Sequence, residues 1–559
     1  MPGRSESIAP FALATLVLLL FLPPAGLRDW WYPDEPDVAL PAIEMLARND
    51  WVIPTHNGVP WLDYPPLAYW GALAAGTLAG GITPSATRVP MAIFAALMVL
   101  ATVWLGRQLG QVQRGLLAGA VLIATPTLWF HASNIQVDLG YAAFIALGLA
   151  VYHHGELASG VGWRILAFAC FGVAILGKGP LGVLLPGLIL TLWHAWNREW
   201  RRLLLLAPLA LVALAIALPW YLLLCDRLGI EFVWSEIVQQ NFDRFGAAKR
   251  GHGGKGIFYY LTRLPADLGL WTAFIIPALW QGFRTRRHER SWRLLAVWLL
   301  APLVFFTLAS TKRNVYLLPV FPALALLVAD WLARRGVTWE EWFKVWSGRA
   351  IAAILLLVGV GLIVTGILWE RLPMLARAPP EAWSSLRPAA FATGWWLTVA
   401  GGWMLRDALA GTLRAWWSLA GGTTLAYVLS MWLVLPLVDQ VRSYRPAARW
   451  LAERVPPGGL VGFFSPGREQ SKRAAWLCHL DGRRLRFLGT PDEVRAWLAN
   501  DPARLVLSSP ADVAALQQVS VIRSWTISSD EWIVLALEEV GVHREETNER
   551  IRHERSVSS

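Results

Sequence analysis

Long apolar stretches recur along most of this chain and constrain its fold more than any other feature. A helix that spans a bilayer needs about 20 apolar residues, and it satisfies its own backbone polar groups inside the hydrocarbon. Of the 559 residues, 55% are hydrophobic and only 16% are charged, whereas a soluble domain has about 25% charged residues. The pattern predicts an α-helical polytopic membrane protein.

The apolar stretches predict thirteen membrane spans, several of them short. They lie at residues 8–27, 88–106, 115–131, 138–154, 163–177, 180–196, 203–224, 257–282, 292–310, 314–333, 350–369, 391–406 and 415–437. Segment 65–81 is also apolar but rich in Ala and Gly. If it spanned, every later loop would change sides, so we expect a helix lying along the outer membrane face.

The basic residues lie in short loops that the span count places on one side. These residues are Arg107 and Arg114, Arg198 to Arg202, Arg284 to Arg290, Arg334 and Arg335, and Arg406 and Arg414. By the positive-inside rule that side is cytoplasmic. The rule also accounts for the net charge of +11, so we expect no nucleic-acid partner. Segments 28–87, 225–256 and 370–390 and the chain after about residue 438 are then predicted to lie on the outer side.

The chain divides by composition into three parts. Residues 1–440 form a predicted transmembrane domain with a structured outer loop at 28–87. Residues 441–542 become more charged and alternate strand-like runs, such as 460–464, 504–508 and 532–537, with a helical stretch at 491–499. This alternation predicts a small α/β domain outside the membrane. Residues 543–559 are nearly all polar and are predicted to be disordered.

Three outer carboxylates are candidates for chemistry. Asp34 and Glu35 follow the first span within Trp-Trp-Tyr-Pro-Asp-Glu-Pro, and Asp138 begins a later span. A carboxylate in such a rigid, half-buried setting can deprotonate a hydroxyl or bind a metal ion. A solvated pair at the membrane border remains the alternative for Asp34 and Glu35, and a helix N-cap remains the alternative for Asp138.

Several cations lie on the predicted outer side, where the positive-inside rule disfavours them. Lys178 lies in a tight turn between two spans, and Lys312 and Arg313 precede another span. Arg244 and His252 belong to the same face. An anionic ligand such as a lipid phosphate explains outer cations better than topology does. For Lys178, capping of the turn is the structural alternative.

Motifs in the first half of the chain resemble those of the GT-C superfamily of polyprenyl-phosphate-sugar glycosyltransferases. The resemblance is greatest to the ArnT-like branch, which includes lipid A aminoarabinose transferases and relatives of bacterial protein O-mannosyltransferases. The matching segments, in the family's order, are Pro33-Asp34-Glu35, Asn49 to Gly58, Asp63-Tyr64-Pro65-Pro66-Leu67, Arg88-Val89-Pro90, Asp138, Lys178-Gly179-Pro180 and Ser310 to Pro319. Four positions depart from the family. Pro33 stands where a Tyr is usual, Asn49 where a Gly is usual, Tyr64 where a Lys is usual, and Asn134 where an Arg is often seen.

The resemblance implies an inverting glycosyltransferase whose donor is a sugar on undecaprenyl phosphate. It also implies a place in the bacterial inner membrane, with the active site and the C-terminal domain facing the periplasm. The acceptor would be lipid A, an envelope glycan or another periplasmic molecule. Asp34, Glu35 and Asp138 would be the catalytic acids. Lys178, Arg244, Lys312, Arg313 and Tyr316 would bind the donor phosphate. Asp63 and His252 correspond to a divalent-metal pair of the family, and no other cofactor is expected.

Two other functions remain open at this point. A flippase for lipid-linked sugars would need alternating access, which inverted repeats with charges near the membrane midplane often support. Here the charges cluster on one face, and no such repeat is detected in the sequence. Protein O-mannosyltransferase activity is the second alternative.

Overall fold

The computed structural model describes residues 4–110, 112–238, 255–334, 338–368, 380–410, 413–465, 470–501, 503–513, 516, 519–528 and 530–537. Arg244, His252 and the tail 543–559 therefore lie outside the described residues. The chain forms two compact units. The first contains residues 1–30 and 34–440, and the second contains Trp31–Pro33 together with the chain from Val441 onward.

Helices make up nearly all of the first unit. They are α1 Arg4–Phe21, α2 Pro36–Arg48, α3 Leu67–Ala79, α4 Pro84–Gln108, α5 Val112–Ile123, α6 Pro126–Ser133, α7 Val137–Leu157, α8 Val161–Lys178, α9 Leu181–Trp196, α10 Trp200–Leu228, α11 Ile230–Val238, α12 Tyr259–Leu268, α13 Ile275–Arg286, α14 Arg290–Leu308, α15 Phe321–Ala333, α16 Thr338–Ile367, α17 Pro380–Leu409, α18 Arg414–Leu433 and α19 Leu435–Arg442. Short 3₁₀ helices occupy Pro23–Gly26, Gly269–Phe274 and Asn314–Val320, and β1 (Thr55–His56) pairs with β2 (Val59–Pro60).

The helices confirm a multi-pass membrane protein. Among the described residues, seven helices are long and apolar enough to cross a membrane, or nine if two bent pairs each count as one span. The exact count of thirteen stays a prediction. Helix α3 has only 13 residues and would be about 20 Å long at 1.5 Å per residue. It is too short for a hydrocarbon core of about 30 Å, as expected for a helix that does not span.

The predicted span 257–282 is wrong as a single helix. It consists of α12, a 3₁₀ turn and α13. Pro265 lies inside α12, and Gly269 ends that helix with φ +61°. Glycine readily adopts such a positive φ, and a residue with a positive φ commonly terminates an α-helix. The apolar composition of the segment did not reveal this break.

Small residues bring the helices that carry the candidate site close together. A Cβ atom built on Gly148 of α7 would lie 2.3 Å from the ring of Phe171 in α8. One built on Gly182 at the start of α9 would lie 2.1 Å from the backbone nitrogen of Ile175. Since real Cβ atoms do not approach that closely, only glycine permits this packing. These two glycines thereby bring α7 and the start of α9 into close contact with α8.

The second unit contains the small α/β domain that the sequence predicts. Its elements are α20 Arg445–Ala452, β3 Leu460–Phe464, α21 Gln470–Leu477, β4 Arg484–Phe487, α22 Pro491–Ala499, β5 Val506–Ser508, α23 Pro510–Val513, β6 Val519–Ile527 and β7 Asp530–Leu537. The sheet order is β4-β3-β5-β7-β6, with β3 parallel to β4 and β5 and with β7 antiparallel to β5 and β6. One side of the sheet buries Val494, Leu498, Val506 and Leu535.

A short segment from the start of the chain belongs to this second unit. Arg442 donates a hydrogen bond from its guanidinium to the carbonyl oxygen of Tyr32 at 3.0 Å. The same guanidinium lies 4.7 Å from the ring centroid of Trp31, and the ammonium of Lys472 lies 5.5 Å from that of Tyr32. Trp31–Pro33 thus packs with residues that are more than 400 positions later in the sequence.

Candidate active site

Glu35 lies at the centre of a buried ion cluster with Arg28 and Arg88. Arg28 donates to its carboxylate at 2.5 and 3.1 Å, and Arg88 at 3.0 and 2.9 Å. The backbone N–H of Ile135 donates a further bond at 3.1 Å. Burial favours the protonated acid, but the two guanidinium groups outweigh it and lower the pKa of Glu35 to about 2. Glu35 is therefore a permanent anion that holds three segments together.

Arg88 extends this cluster to the backbone that follows the first helix. Its guanidinium donates to the carbonyl oxygens of Ala25 at 2.7 Å, Arg28 at 2.9 Å and Asp29 at 2.6 Å. The side chain is 2% exposed. A buried guanidinium is stable only when its donors are paired. Arg88 consequently fixes the backbone at residues 25–29, five residues before Asp34.

Asp34 differs sharply from its neighbour, because its carboxylate is 40% exposed. Gln136 donates to one oxygen at 3.1 Å, and Arg313 donates to the other at 3.3 Å. Burial disfavours the charge of Arg313, but Asp34 and Asp138 are near enough to raise its pKa above the usual value. Asp34 thus lies beside a fixed cation and faces open space.

Asp138 and Lys178 form an ion pair between the start of α7 and the end of α8. Gln136 occupies the N-cap position of α7, so the alternative that Asp138 is the N-cap is wrong. The Lys178 ammonium also lies 4.5 Å from the ring centroid of Tyr316 and 5.7 Å from that of Tyr141. The carboxylate and the rings orient Lys178 and leave it 12% exposed.

A cavity of about 440 Å³ opens beside Lys178. Its wall is mainly apolar, with Leu181, Leu184, Trp220, Leu224, Val233, Phe305 and Phe306 among the lining residues. Polar groups come from Asp63, Tyr64, Lys178, Thr311 and Tyr316. A ligand that joins an apolar tail to an anionic group matches this combination of lining residues.

The two other predicted cations that the structure describes, Lys312 and Arg313, have different positions. Lys312 is 6% exposed and donates to the carbonyl oxygen of Ala309 at 2.7 Å, and it does not line the cavity. Lys255 donates to the carbonyl oxygen of Lys312 at 2.9 Å and lies 4.5 Å from the ring centroid of Tyr259. Lys312 thus shapes the loop before Arg313, whereas Arg313 itself contacts Asp34.

Of the predicted metal pair, only Asp63 belongs to the described residues, and metal binding stays a prediction. Asp63 lines the cavity, and His252 lies outside the described residues. Elsewhere in the described chain, Glu156, His194 and Glu199 have ligand atoms within 4.8 Å of one another. Arg164, Arg202 and Arg290 surround these acids. Their positive charge disfavours a cation, so this second group fits a structural ion network better than a metal centre.

Comparison with known proteins agrees with the motifs. Residues 7–228 match the family model of dolichyl-phosphate-mannose-protein mannosyltransferases. Undecaprenyl phosphate-α-4-amino-4-deoxy-L-arabinose arabinosyl transferases are 31% identical over 321 residues in Erwinia tasmaniensis and 33% identical over 327 residues in Pseudomonas paraeruginosa. These alignments cover 56% and 57% of this chain and 57% and 58% of the relatives. The chain therefore spans somewhat more than half the length of the curated relatives that it matches.

Solved structures extend the likeness to almost the whole chain. The apo crystal structure of ArnT from Cupriavidus metallidurans superposes with a TM-score of 0.75 at 22% identity, covering 94% of this chain and 97% of that one. This chain has the fold of ArnT. The form of ArnT bound to undecaprenyl phosphate gives a TM-score of 0.74 at 21% identity, covering 97% of this chain and all of that one. The predicted resemblance to ArnT-like GT-C proteins is confirmed.

Several residues around the site were not predicted as functional. Arg88 carried a signal, since a charge inside a predicted span is costly and demands a partner. Arg28, Gln136 and Lys255 carried none, because polar residues beside a membrane segment are common. Tyr141 is one aromatic among many apolar residues of α7, and only the folded chain brings its ring towards Lys178.

Proposed function

We propose that this protein is a membrane glycosyltransferase that moves a sugar from undecaprenyl phosphate to lipid A or another envelope acceptor. The observation that carries the proposal is the mainly apolar cavity whose polar lining residues include Lys178, Tyr316 and Asp63. It fits a prenyl chain with a phosphate at its polar end. The names of the relatives and the undecaprenyl phosphate bound by ArnT support the same donor.

The donor phosphate would be held between Lys178 and Arg313. In the reaction the acceptor oxygen bonds to the anomeric carbon from the side opposite the leaving group. The bond from that carbon to the phosphate oxygen breaks, and its electron pair stays on the phosphate. Preorganised cations stabilise such developing charge without reorganising at the moment of reaction. Asp138 would act as a positioning residue by orienting Lys178.

Asp34 would act on the acceptor. If the acceptor is a hydroxyl, its carboxylate accepts the proton as the new bond forms. If the acceptor is a phosphate, as on lipid A, no strong base is needed and Asp34 would position it together with Arg313. Glu35 is better explained as a positioning residue than as a catalytic one, because it is buried and its oxygens already accept hydrogen bonds from Arg28 and Arg88.

A divalent metal ion held by Asp63 and His252 remains part of the proposal. The carboxylate of Asp63, which lines the cavity, fits such an ion, but one acid and one histidine are a small ligand set. The ion would add positive charge near the donor phosphate. The steps assigned to Asp34, Lys178 and Arg313 do not depend on it.

Release of the lipid carrier distinguishes transfer from transport. Purified protein is incubated with undecaprenyl phosphate bearing a radiolabelled sugar and with lipid A. We expect free undecaprenyl phosphate and labelled lipid A. Label on added protein or peptide would instead favour the protein acceptor that the family model names. Intact donor that crosses the bilayer of proteoliposomes would identify a flippase and contradict the proposal.

The proposed orientation is periplasmic for the site and the C-terminal domain in the bacterial inner membrane. It rests on the positive-inside rule, since the arginine-rich loops would face the cytoplasm. A phosphatase reporter fused after Val540 should be active only when it reaches the periplasm. Activity of a reporter that works only in the cytoplasm, fused at the same residue, would contradict the orientation.

A further inference from the structure

A second, polar cavity lies at the end of the bundle opposite Asp34. Helix α4 begins near Arg88 and has 25 residues, so its two ends are about 37 Å apart at 1.5 Å per residue. The far end of α4 adjoins Arg114, which borders an open cavity of about 480 Å³. The cavity is lined by Arg114, Gln281, Thr285, Arg286, Glu289, Ala333 and Arg334.

Three arginines of this cavity converge on one carboxylate. Arg114 donates to Asp330 at 3.0 Å, Arg334 donates to it at 3.0 Å, and Arg286 also pairs with it. Arg286 additionally donates to Glu289 at 2.7 Å. Three guanidinium groups and two carboxylates leave one positive charge uncompensated. A singly charged anion would neutralise the group.

The three arginines come from three different helices, and the side chain of Arg114 is 18% exposed. Arg114 lies at the start of α5, while Arg286 and Arg334 lie at the ends of α13 and α15. An anion here would therefore link three helices.

The aromatic residues around this cavity place it at the level of lipid headgroups. Trp280 and Phe283 of α13 are 56% and 52% exposed, and they flank Gln281 on the same helix. The guanidinium groups of Arg284 and Arg287 lie 5.5 and 5.8 Å from their ring centroids. Exposed aromatic residues with basic neighbours are typical of the membrane–water interface. Basic cavities between helices at this depth bind phospholipid headgroups.

We propose that this cavity binds a phosphate monoanion through Arg114, Arg286 and Arg334. The phosphate could come from the headgroup of an anionic phospholipid or from soluble phosphate, and both present the same oxygens to the arginines. The site lies in the opposite leaflet from the proposed donor cavity and is independent of the glycosyltransferase reaction.

The test measures the melting temperature of detergent-purified, full-length protein during titration with phosphatidylglycerol, phosphatidylcholine or inorganic phosphate. Phosphatidylglycerol should raise the melting temperature of the wild type, because binding to the folded state stabilises it. Phosphatidylcholine has no net charge and should have a much smaller effect. A rise with inorganic phosphate alone would identify the soluble source, whereas no rise with either anion would overturn the proposal.

Variants distinguish anion binding in this cavity from non-specific attraction of anions to the basic surface of the protein. Arg114→Gln removes a ligand, and Thr285→Glu adds a repelling charge to the cavity while it keeps all three arginines. Each should weaken the response to the active anion about tenfold, as the loss of about 1.4 kcal/mol does. Arg284→Gln is the matched control, because it removes an equal charge from an exposed residue outside the cavity. Equal responses in Thr285→Glu, Arg284→Gln and the wild type would overturn the site.

Discussion

Asp34 and Glu35 are adjacent in sequence but occupy two unlike regions. Glu35 is 1% exposed and accepts hydrogen bonds from two arginines and a backbone N–H. The Asp34 carboxylate is 40% exposed and lies 3.3 Å from one arginine. Both regions pair acids with arginines, so ion pairing by itself does not identify a reactive group.

The two carboxylates differ in their capacity to accept a proton or a further hydrogen bond. A carboxylate that is surrounded by its own protein has little room for a substrate, and removing it leaves buried cations without a partner. A half-exposed carboxylate beside one cation can still accept a proton or a hydrogen bond. The first region should therefore control folding, and the second should control turnover. Substitutions in each region can break this distinction.

The largest effect is expected for Glu35→Gln. It leaves Arg28 and Arg88 buried without their counter-ion, which should destabilise the folded state by about 3–5 kcal/mol. Thermal unfolding and yield in detergent measure this loss. Asp492→Asn changes an acid whose side chain is 87% exposed and should leave stability nearly unchanged. A stable Glu35→Gln protein with abolished turnover would show that Glu35 is catalytic after all.

The same cluster predicts a pH dependence. The folded-state pKa of Glu35 is lowered from an ordinary 4.5 to about 2. Its contribution to stability is therefore complete above about pH 4.5 and is lost as the pH falls through about 2. The melting temperature of the wild type should fall more steeply with acid than that of Glu35→Gln. Parallel curves for the two proteins between pH 5 and 2 would contradict the cluster's role.

The next effect concerns Asp34→Asn. Removing a general base typically lowers the rate by about 100-fold or more, and the half-exposed position should tolerate the amide without loss of folding. Turnover is measured on monodisperse protein with the radiolabelled donor. Asp50→Asn is a control in the same outer loop, where Asp50 pairs with Arg227 instead. Turnover close to that of the wild type would remove Asp34 from the reaction.

A somewhat smaller effect is expected for Lys178→Ala. A charge-assisted hydrogen bond contributes about 1.5–3 kcal/mol, which corresponds to about 10- to 150-fold in donor handling. The change should raise the donor KM, or lower kcat if the contact forms in the transition state. Lys178→Arg should restore only part of the activity, because a planar guanidinium does not replace a compact ammonium. Low yield with unchanged kcat/KM would support the turn-capping alternative.

The smallest effect on kinetics is expected for Lys312→Ala. Its ammonium is bonded to the Ala309 carbonyl oxygen and does not line the cavity. Loss of this contact should change kcat/KM by less than about tenfold, since Arg313 keeps its own contact with Asp34. Donor kinetics of Lys312→Ala and Lys178→Ala are compared at equal protein concentration. An equal loss of kcat/KM in both variants would show that Lys312 also binds the donor phosphate.

The sequence predicted the fold through patterns that are local. Apolar length predicted the helices, and alternating runs such as 460–464 and 532–537 predicted strands of the C-terminal domain. The strands Arg484–Phe487 and Val519–Ile527 were missed, because both are largely exposed and carry polar residues. The break at Gly269 was missed for the opposite reason, since its neighbours are uniformly apolar.

The site was only partly predictable, because its chemistry depends on long-range pairing. Motif matches selected Asp34, Asp138 and Lys178 as candidates, and the fold brings the last two into contact across 40 residues. No local pattern distinguishes Glu35 from Asp34, since their difference comes from Arg28, Arg88 and Ile135. The same limit applies to Lys312 and Arg313, whose environments diverge only in the folded chain.

The contact of Arg442 with Tyr32 has a consequence for the order of biosynthesis. Residues 31–33 leave the ribosome about 410 residues before their partner is made. At about 5–20 residues per second, that interval is roughly 20–80 s. During this time residues 31–33 lack their contacts with Arg442 and Lys472. A chain truncated before residue 442 would insert its early helices, but residues 31–33 would never form their contacts with Arg442 and Lys472.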